Sequence, residues 1–167
     1  MSSGVLESPR RLTRADDRSE FTSGATELDE WLRSYAWQNQ RANNAVTYVT
    51  VRGSSVMGYY ALAVAAYARD HAPDELRRAP REVPCVLLAR LAVDRRVAGL
   101  GVGAALLRDA FLRAYQASRS VGAAALLVHC RDDAARSFYL HNGDFLASPV
   151  EPKHLFLPMR AIGSLLE

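Results

Sequence analysis

Between Cys85 and Val93 the chain is almost continuously apolar over the length of one strand, broken only by Arg90. It then runs through Asp94-Arg95-Arg96-Val97-Ala98-Gly99-Leu100-Gly101-Val102-Gly103 into a second, periodic apolar stretch. An apolar run of strand length with no alternation is covered on both faces, which places it inside a sheet flanked by other layers. The periodic stretch, about Gly103–Ser118, sets Leu106, Leu107, Ala110, Phe111 and Ala114 on one helical face. Buried strand, glycine-rich turn and amphipathic helix in that order point to the α/β class. They also raise a chemical question, because three glycines bare the backbone where a helix begins. Orphan N–H groups and a partial positive charge lie there, and with no Cβ atoms nothing holds a phosphate at a distance.

The other segments fit a single domain over residues 1–167, and 49% hydrophobic residues are enough for a sizeable core. Residues 8–15 predict a first strand. Thr26 is a candidate N-cap, with Asp29 in the capping-box position, for a helix to about Gln40 whose Leu28, Trp31, Leu32, Tyr35 and Ala36 form one stripe. Ala45–Val51 and Val56–Ala66 predict a hairpin across Gly53-Ser54-Ser55. Residues 69–84, charged and proline-bearing, predict a loop with one short helix. Ala123–Cys130 predicts another buried strand, Asp132–Leu140 a helix and Leu155–Met159 a last strand. Cys85 and Cys130 lack Cys-x-x-Cys spacing and sit among apolar residues, so buried free thiols are expected. No run approaches the ~20 apolar residues of a membrane span, and MSSGVLESPRRL lacks the apolar core of a secretion signal, so a cytoplasmic location is expected.

Net charge is +3, and of the 21 basic residues only Lys153 is lysine. The guanidinium fork suits phosphate, although an Ala/Arg-rich genome composition accounts for the bias equally well. Arg33, Arg41, Arg77, Arg78 and Arg81 are candidates for a phosphate-neutralising surface. His71, His129, His141 and His154 show no metal-ligand spacing, so no metal is expected; His129, within a strand, reads as a hydrogen-bonded core residue.

Three phosphate-binding turns compete for the glycines. A P-loop ends in Gly-Lys-Ser/Thr, and Gly103-Ala104-Ala105 supplies neither the cation nor the hydroxyl. A dinucleotide fingerprint is met loosely by Gly99-x-Gly101-x-x-Ala104. Yet Asp94 to Ala98 separate the strand from its first glycine, and the candidate acid Asp132 lies well beyond the ~20 residues that the fingerprint asks for. The third reading is Arg96-Val97-Ala98-Gly99-Leu100-Gly101, which matches the Arg/Gln-x-x-Gly-x-Gly/Ala motif of the GNAT-type acyl-CoA N-acyltransferases. The chain resembles that superfamily before the motif (Leu87–Val93), after it (Gly103 and the long helix), and downstream through the strand to Cys130 and Phe138-Tyr139.

The resemblance implies a GNAT-type fold, a mixed central sheet with helices on both faces. Its two parallel strands, here Leu87–Val93 and Ala123–Cys130, splay apart to admit the pantetheine arm of acetyl-CoA. It implies that main-chain groups of Leu91, Ala92, Val93 and of the turn Val97, Ala98, Gly99, Leu100, Gly101, Val102, Gly103 and Ala104 line the cofactor site. Arg95 or Arg96 would add charge-assisted contacts to the pyrophosphate, and the N–H of Leu91 or Val93 would polarise the thioester carbonyl. Tyr139 occupies the family position of the general acid, and a reference pKa near 10 keeps its proton in place at neutral pH. The base stays open among Asp132, Asp133 and Glu82, the first two equally explained as helix caps.

"FTSGATELDEWLRSYAWQNQ", "VTYVTV", "MGYYAL", "LARLAVD" and "VHCRDDAARSFYLHNG" narrow the likeness to the GNAT toxins of bacterial toxin–antitoxin modules. That group acetylates the α-amino group of aminoacyl-tRNA, typically as dimers neutralised by a ribbon-helix-helix antitoxin. An α-amine with a pKa near 7.7–8.0 asks less of a base than a lysine at about 10.4. Arg33, Arg41, Arg77 and Arg78 are then the candidate tRNA contacts. Two positions depart from the group: Asp144 is an extra residue between Gly143 and Phe145, and Arg131-Asp132 stands where many members carry Asn. The alternatives are an acetyltransferase for small-molecule or protein amines and a non-catalytic acyl-CoA-binding module.

Overall fold

The structure is a computed structural model and describes residues 4–167. Its strands are β1 (Arg10–Arg11), β2 (Val46–Arg52), β3 (Ser55–Ala68), β4 (Glu82–Val93), β5 (Ala125–His129), β6 (Leu146–Ala147) and β7 (His154–Pro158), with helices α1 (Thr26–Ser34), α2 (Ala36–Arg41), α3 (Val102–Val121), α4 (Asp133–Asn142) and α5 (Met159–Leu166). The strands hydrogen-bond in the order β1-β2-β3-β4-β5-β7-β6. The sheet is mixed: β4 and β5 run parallel, whereas β1–β2, β2–β3, β5–β7 and β6–β7 are antiparallel. The backbone resolves into two compact units, Met1–Ala63 with Arg90–Asp109, and Val64–Ala89 with Ala110–Glu167.

In the first unit, Leu12, Phe21, Leu32, Ala36, Val49, Val51, Tyr59 and Ala92 form a core against which Leu28, Trp31 and Trp37 pack. Three expectations are corrected here. The strand expected over residues 8–15 shrinks to Arg10–Arg11, because Asp16 accepts from both Arg10 nitrogens at 2.9 Å and from the Thr13 N–H at 2.8 Å and so turns the chain. Ala25, not Thr26, is the N-cap, and the Asp29 carboxylate reaches back to the Ser23 N–H at 3.0 Å. The single helix to Gln40 is broken at Tyr35 (φ −125°), where the Asn39 side-chain amide takes the Tyr35 carbonyl at 2.9 Å. Tyr35 thereby leaves the apolar stripe and is 48% exposed. Gln40 fastens α2 by donating to the Leu12 carbonyl and accepting from the Thr47 N–H.

In the second unit, β4 registers Cys85 to Leu88 against Ala125 to Val128 of β5, and β4 then continues to Val93. Val83, Cys85, Ala125, Leu127 and Phe156 pack with Ala72 and Leu76 from the 69–81 segment, which holds two 3₁₀ turns instead of one short helix. The last strand ends at Pro158 rather than Met159, which instead opens α5; neither α5 nor β6 was expected from the sequence. Gly163 reads as a helix breaker, but a Cβ there would stand 2.9 Å from the Tyr115 ring, so its absence lets α5 close on α3. Both cysteines are free and buried. Among the described residues no helix is long and apolar enough to cross a membrane.

Candidate active site

The turn after β4 is anchored by Asp94, which is 1% exposed. Its carboxylate accepts from the Arg96 N–H and Nε, both at 2.8 Å, from Arg96 Nη2 at 2.9 Å, and from the Thr22 N–H at 3.0 Å. Burial alone would raise the Asp94 pKa, but these donors outweigh it and hold the carboxyl below its ordinary range. The Arg95 N–H bonds the Thr22 carbonyl, and its guanidinium lies over Gly24. Arg95–Val97 closes one 3₁₀ turn, with Val97 fully buried. Ala98, Gly99 and Leu100 then emerge into solvent.

Gly99 (φ 77°) and Gly101 (φ 79°) adopt left-handed backbone, and a Cβ on either would meet nothing within 4 Å. No packing explains them, so what they leave is open space beside main-chain N–H groups. Gly103 differs: it lies within α3, whose first turn (Val102, Gly103 and Ala104) has no intrahelical acceptors for its N–H groups. The ladder begins with Ala105 N–H to the Gly101 carbonyl at 3.1 Å. Upstream, the Asp94 N–H is spent on Met57 of β3 at 2.8 Å, and strand alternation turns the N–H groups of Val93 and Leu91 away from β3, while Ala92 is buried in the core. Arg96 has two donors committed to Asp94, which leaves Nη1 free apart from Glu20 at 4.0 Å. The set fits a diphosphate: an exposed turn of N–H donors at a helix start, two vacant Cβ positions and two exposed guanidiniums. A cleft of about 280 Å³ borders it, lined by Leu6, Pro9, Thr50, Leu100, Val102 and Leu106.

Tyr139 lies on α4 in the other unit, 6% exposed. Its ring meets Phe138 and Phe145 edge-on at 5.2 and 5.8 Å, and Phe145 in turn tilts against Phe111 at 6.0 Å. The extra residue Asp144 therefore leaves an aromatic wall against the phenol. Burial, with a smaller push from Cys130, raises the Tyr139 pKa, so the group holds its proton at neutral pH. Burial likewise pushes both thiols up to about 11, which keeps them protonated.

The candidate bases have other work. Asp132 caps α4 by accepting from the Ala135 N–H at 2.8 Å and pairs with Arg131, Asp133 lies 3.7 Å from Lys153, and Glu82 is exposed at the start of β4. Arg33, Arg41, Arg77, Arg78 and Arg81 are all exposed; the first two belong to one unit and the others to the second. His129 corrects the sequence reading: it is exposed and its ring stacks on His154, with no side-chain hydrogen bond among the described residues. Sequence reasoning also missed Arg90, whose guanidinium sits 4.4 Å over the Trp31 ring, although a charge inside an apolar strand was a visible signal.

The pattern of the Acetyltransferase (GNAT) family matches residues 11–143. The chain belongs to the GNAT acetyltransferase family. A protein of Mycobacterium tuberculosis described as a tRNA-acetylating toxin is 46% identical to it over 95% of both chains. Among solved structures, AtaT complexed with acetyl-methionyl-tRNAfMet superposes with a TM-score of 0.89 at 28% identity, covering 98% of this chain and 100% of that one. A tyrosine-to-phenylalanine variant of AtaT, bound to the C-terminus of the antitoxin AtaR and to acetyl-CoA, gives 0.82 at 28% identity over 96% and 98%. As a GNAT enzyme the chain is an N-acetyltransferase.

Proposed function

We propose that this enzyme is a toxin that transfers the acetyl group of acetyl-CoA to the α-amino group of aminoacyl-tRNA and so blocks translation. The observation that carries the reading is the 46% identity, along 95% of both chains, to a tRNA-acetylating toxin. Acetyl-CoA supplies an acetyl group already activated as a thioester. Main-chain N–H groups from Gly99 to Ala104 would hold its diphosphate, those of Val97 and Ala98 being spent on the Asp94 and Arg95 carbonyls, with Arg95 or the Nη1 of Arg96, which has only Glu20 at 4.0 Å, adding charge. The N–H groups of Leu91 and Val93, turned away from β3, are the donors available to an acyl oxygen. Tyr139 holds a proton on Oη and is the donor assigned to the leaving group. Arg33, Arg41, Arg77 and Arg78 are assigned to tRNA phosphates.

The same reading makes the chain a single-domain cytoplasmic protein that works as a homodimer and is neutralised by a ribbon-helix-helix antitoxin. Support for the antitoxin comes from the AtaT–AtaR assembly among its structural relatives. The test is to incubate the enzyme with acetyl-CoA and, in turn, charged tRNA, polyamines and a lysine peptide, following thiol release and the mass of the acceptor. Acetylated charged tRNA is the expected product. Acetylation of another amine alone would replace the toxin with a small-molecule or protein acetyltransferase, and no release with any amine would leave a silent acyl-CoA-binding module.

A further inference from the structure

Capping, solvent exposure and ion pairing occupy the three carboxylates first considered as bases, so the proton lost by the acceptor amine needs another destination. His129 is the last residue of β5, the first past Leu88↔Val128, where the registered parallel ladder with β4 stops. Directly opposite on β7 stands His154. The two rings stack with centroids 4.1 Å apart and planes at 28°. His154 is pinned from its other side, its Nδ1 2.8 Å from the Tyr67 hydroxyl, and the Tyr67 ring sits edge-on to it at 5.5 Å. One face of the His129 ring thus stacks on a fixed neighbour while the residue stays exposed, with both ring nitrogens unclaimed among the described residues. Cys130, the residue that follows β5, is buried where His129 is exposed, and Cys130 is the titratable group that acts on Tyr139.

We propose that His129 is the acceptor-side proton acceptor of the transfer, held in place by the His154–Tyr67 pair. Neutral imidazole takes one proton from the substrate's ammonium nitrogen, leaving a free amine and an imidazolium that passes the proton to bulk water at its exposed edge. No other reactant is consumed. The proposal rests on the acetyltransferase reading above and takes the α-ammonium of aminoacyl-tRNA as its substrate. Burial, and then His154, lower the His129 pKa below the ordinary imidazole value, so the ring is neutral and able to accept at pH 7. The other charges around it pair among themselves: Lys153 beside β7 with Asp133, and Arg131 with Asp132 at the start of α4, where Arg136 donates to the Pro152 carbonyl. Tyr67 from β3 and Cys130 just after β5 are the remaining titratable neighbours.

The test compares kcat/KM against pH for the wild type and His129→Gln, a substitution at an exposed position. The expected loss is about 100-fold near pH 6.5, shrinking to about threefold near pH 9, where an α-amine of pKa about 7.7–8.0 is already free. Added imidazole is expected to restore His129→Ala at the lower pH. An equal loss at every pH, or no rescue, overturns the proposal. A second readout needs no turnover: in the protein alone, the NMR titration of the His129 ring should lie below the ordinary value and rise in His154→Gln, and a titration indifferent to His154 overturns it as well. If a different amine proves to be the acceptor, the same profiles are recorded on that amine, so the tRNA reading can fail separately; a wild type that acetylates no amine removes both.

Discussion

Asp94 organises the turn from beneath: one buried carboxylate fixes the backbone of Arg96, the Arg96 fork and the Thr22 N–H together. Its folded pKa lies below that of the unfolded chain, so its contribution is full above the unfolded value and disappears as pH falls through the folded one. Asp16, whose burial is likewise outweighed by Arg10, adds in the same direction. Asp94→Asn is expected to cost about 2 kcal/mol at pH 6 and to flatten the loss of stability on acidification, as read from urea unfolding between pH 6 and pH 2.5. For Tyr139→Phe the expectation is a kcat about 10²-fold lower with CoA affinity unchanged within about twofold, checked by steady-state kinetics and calorimetry; a matching loss of affinity would give the phenol a binding role instead. A family pattern singles out Tyr139 in the sequence, and the role it assigns is what the Tyr139→Phe kinetics test. The partners that fix Asp94 and His129 were not legible there, because Thr22 and His154 are distant in sequence and meet them only in the fold.

At the scale of elements, the glycines divide by what surrounds them. A Cβ on Gly58 would stand 2.9 Å from Leu106 and 3.1 Å from Thr50, so Gly58→Ala is expected to unseat α3 from β3 at a cost of about 1–3 kcal/mol, read as a lower urea midpoint. At Gly101 an added Cβ meets nothing within 4 Å, so Gly101→Val is expected to pay mainly backbone strain of about 1–3 kcal/mol, yet it should weaken CoA binding about tenfold or more, because its side chain would fill the space proposed for phosphate. The strand–turn–helix run from Cys85 to Ser118 was readable because a buried strand and an amphipathic helix each have their own period. The break at Tyr35 and the helix over Met159–Leu166 were not: no proline or glycine marks the departure of Tyr35 from helical backbone, and the second depends on a glycine that serves ring packing rather than a turn.

For the whole molecule, a net charge of +3 is small, so binding of the proposed tRNA acceptor has to come from local clusters rather than from the overall field. Affinity for charged tRNA should fall linearly on a log–log plot against salt, and Arg77→Ala with Arg78→Ala should lower that slope by about 0.7–0.9 per phosphate contact removed. Unchanged slopes would take these arginines out of the interface. The deeper claim concerns main-chain atoms, which substitution cannot delete one by one. It is tested most directly by following the amide resonances of ¹⁵N-labelled protein titrated with CoA and, separately, with pantetheine, which lacks the diphosphate. The amides of Gly99, Gly101 and Gly103 are expected to move strongly with CoA and to stay in place with pantetheine; three glycine amides that ignore CoA at saturation would contradict a phosphate seat at this turn.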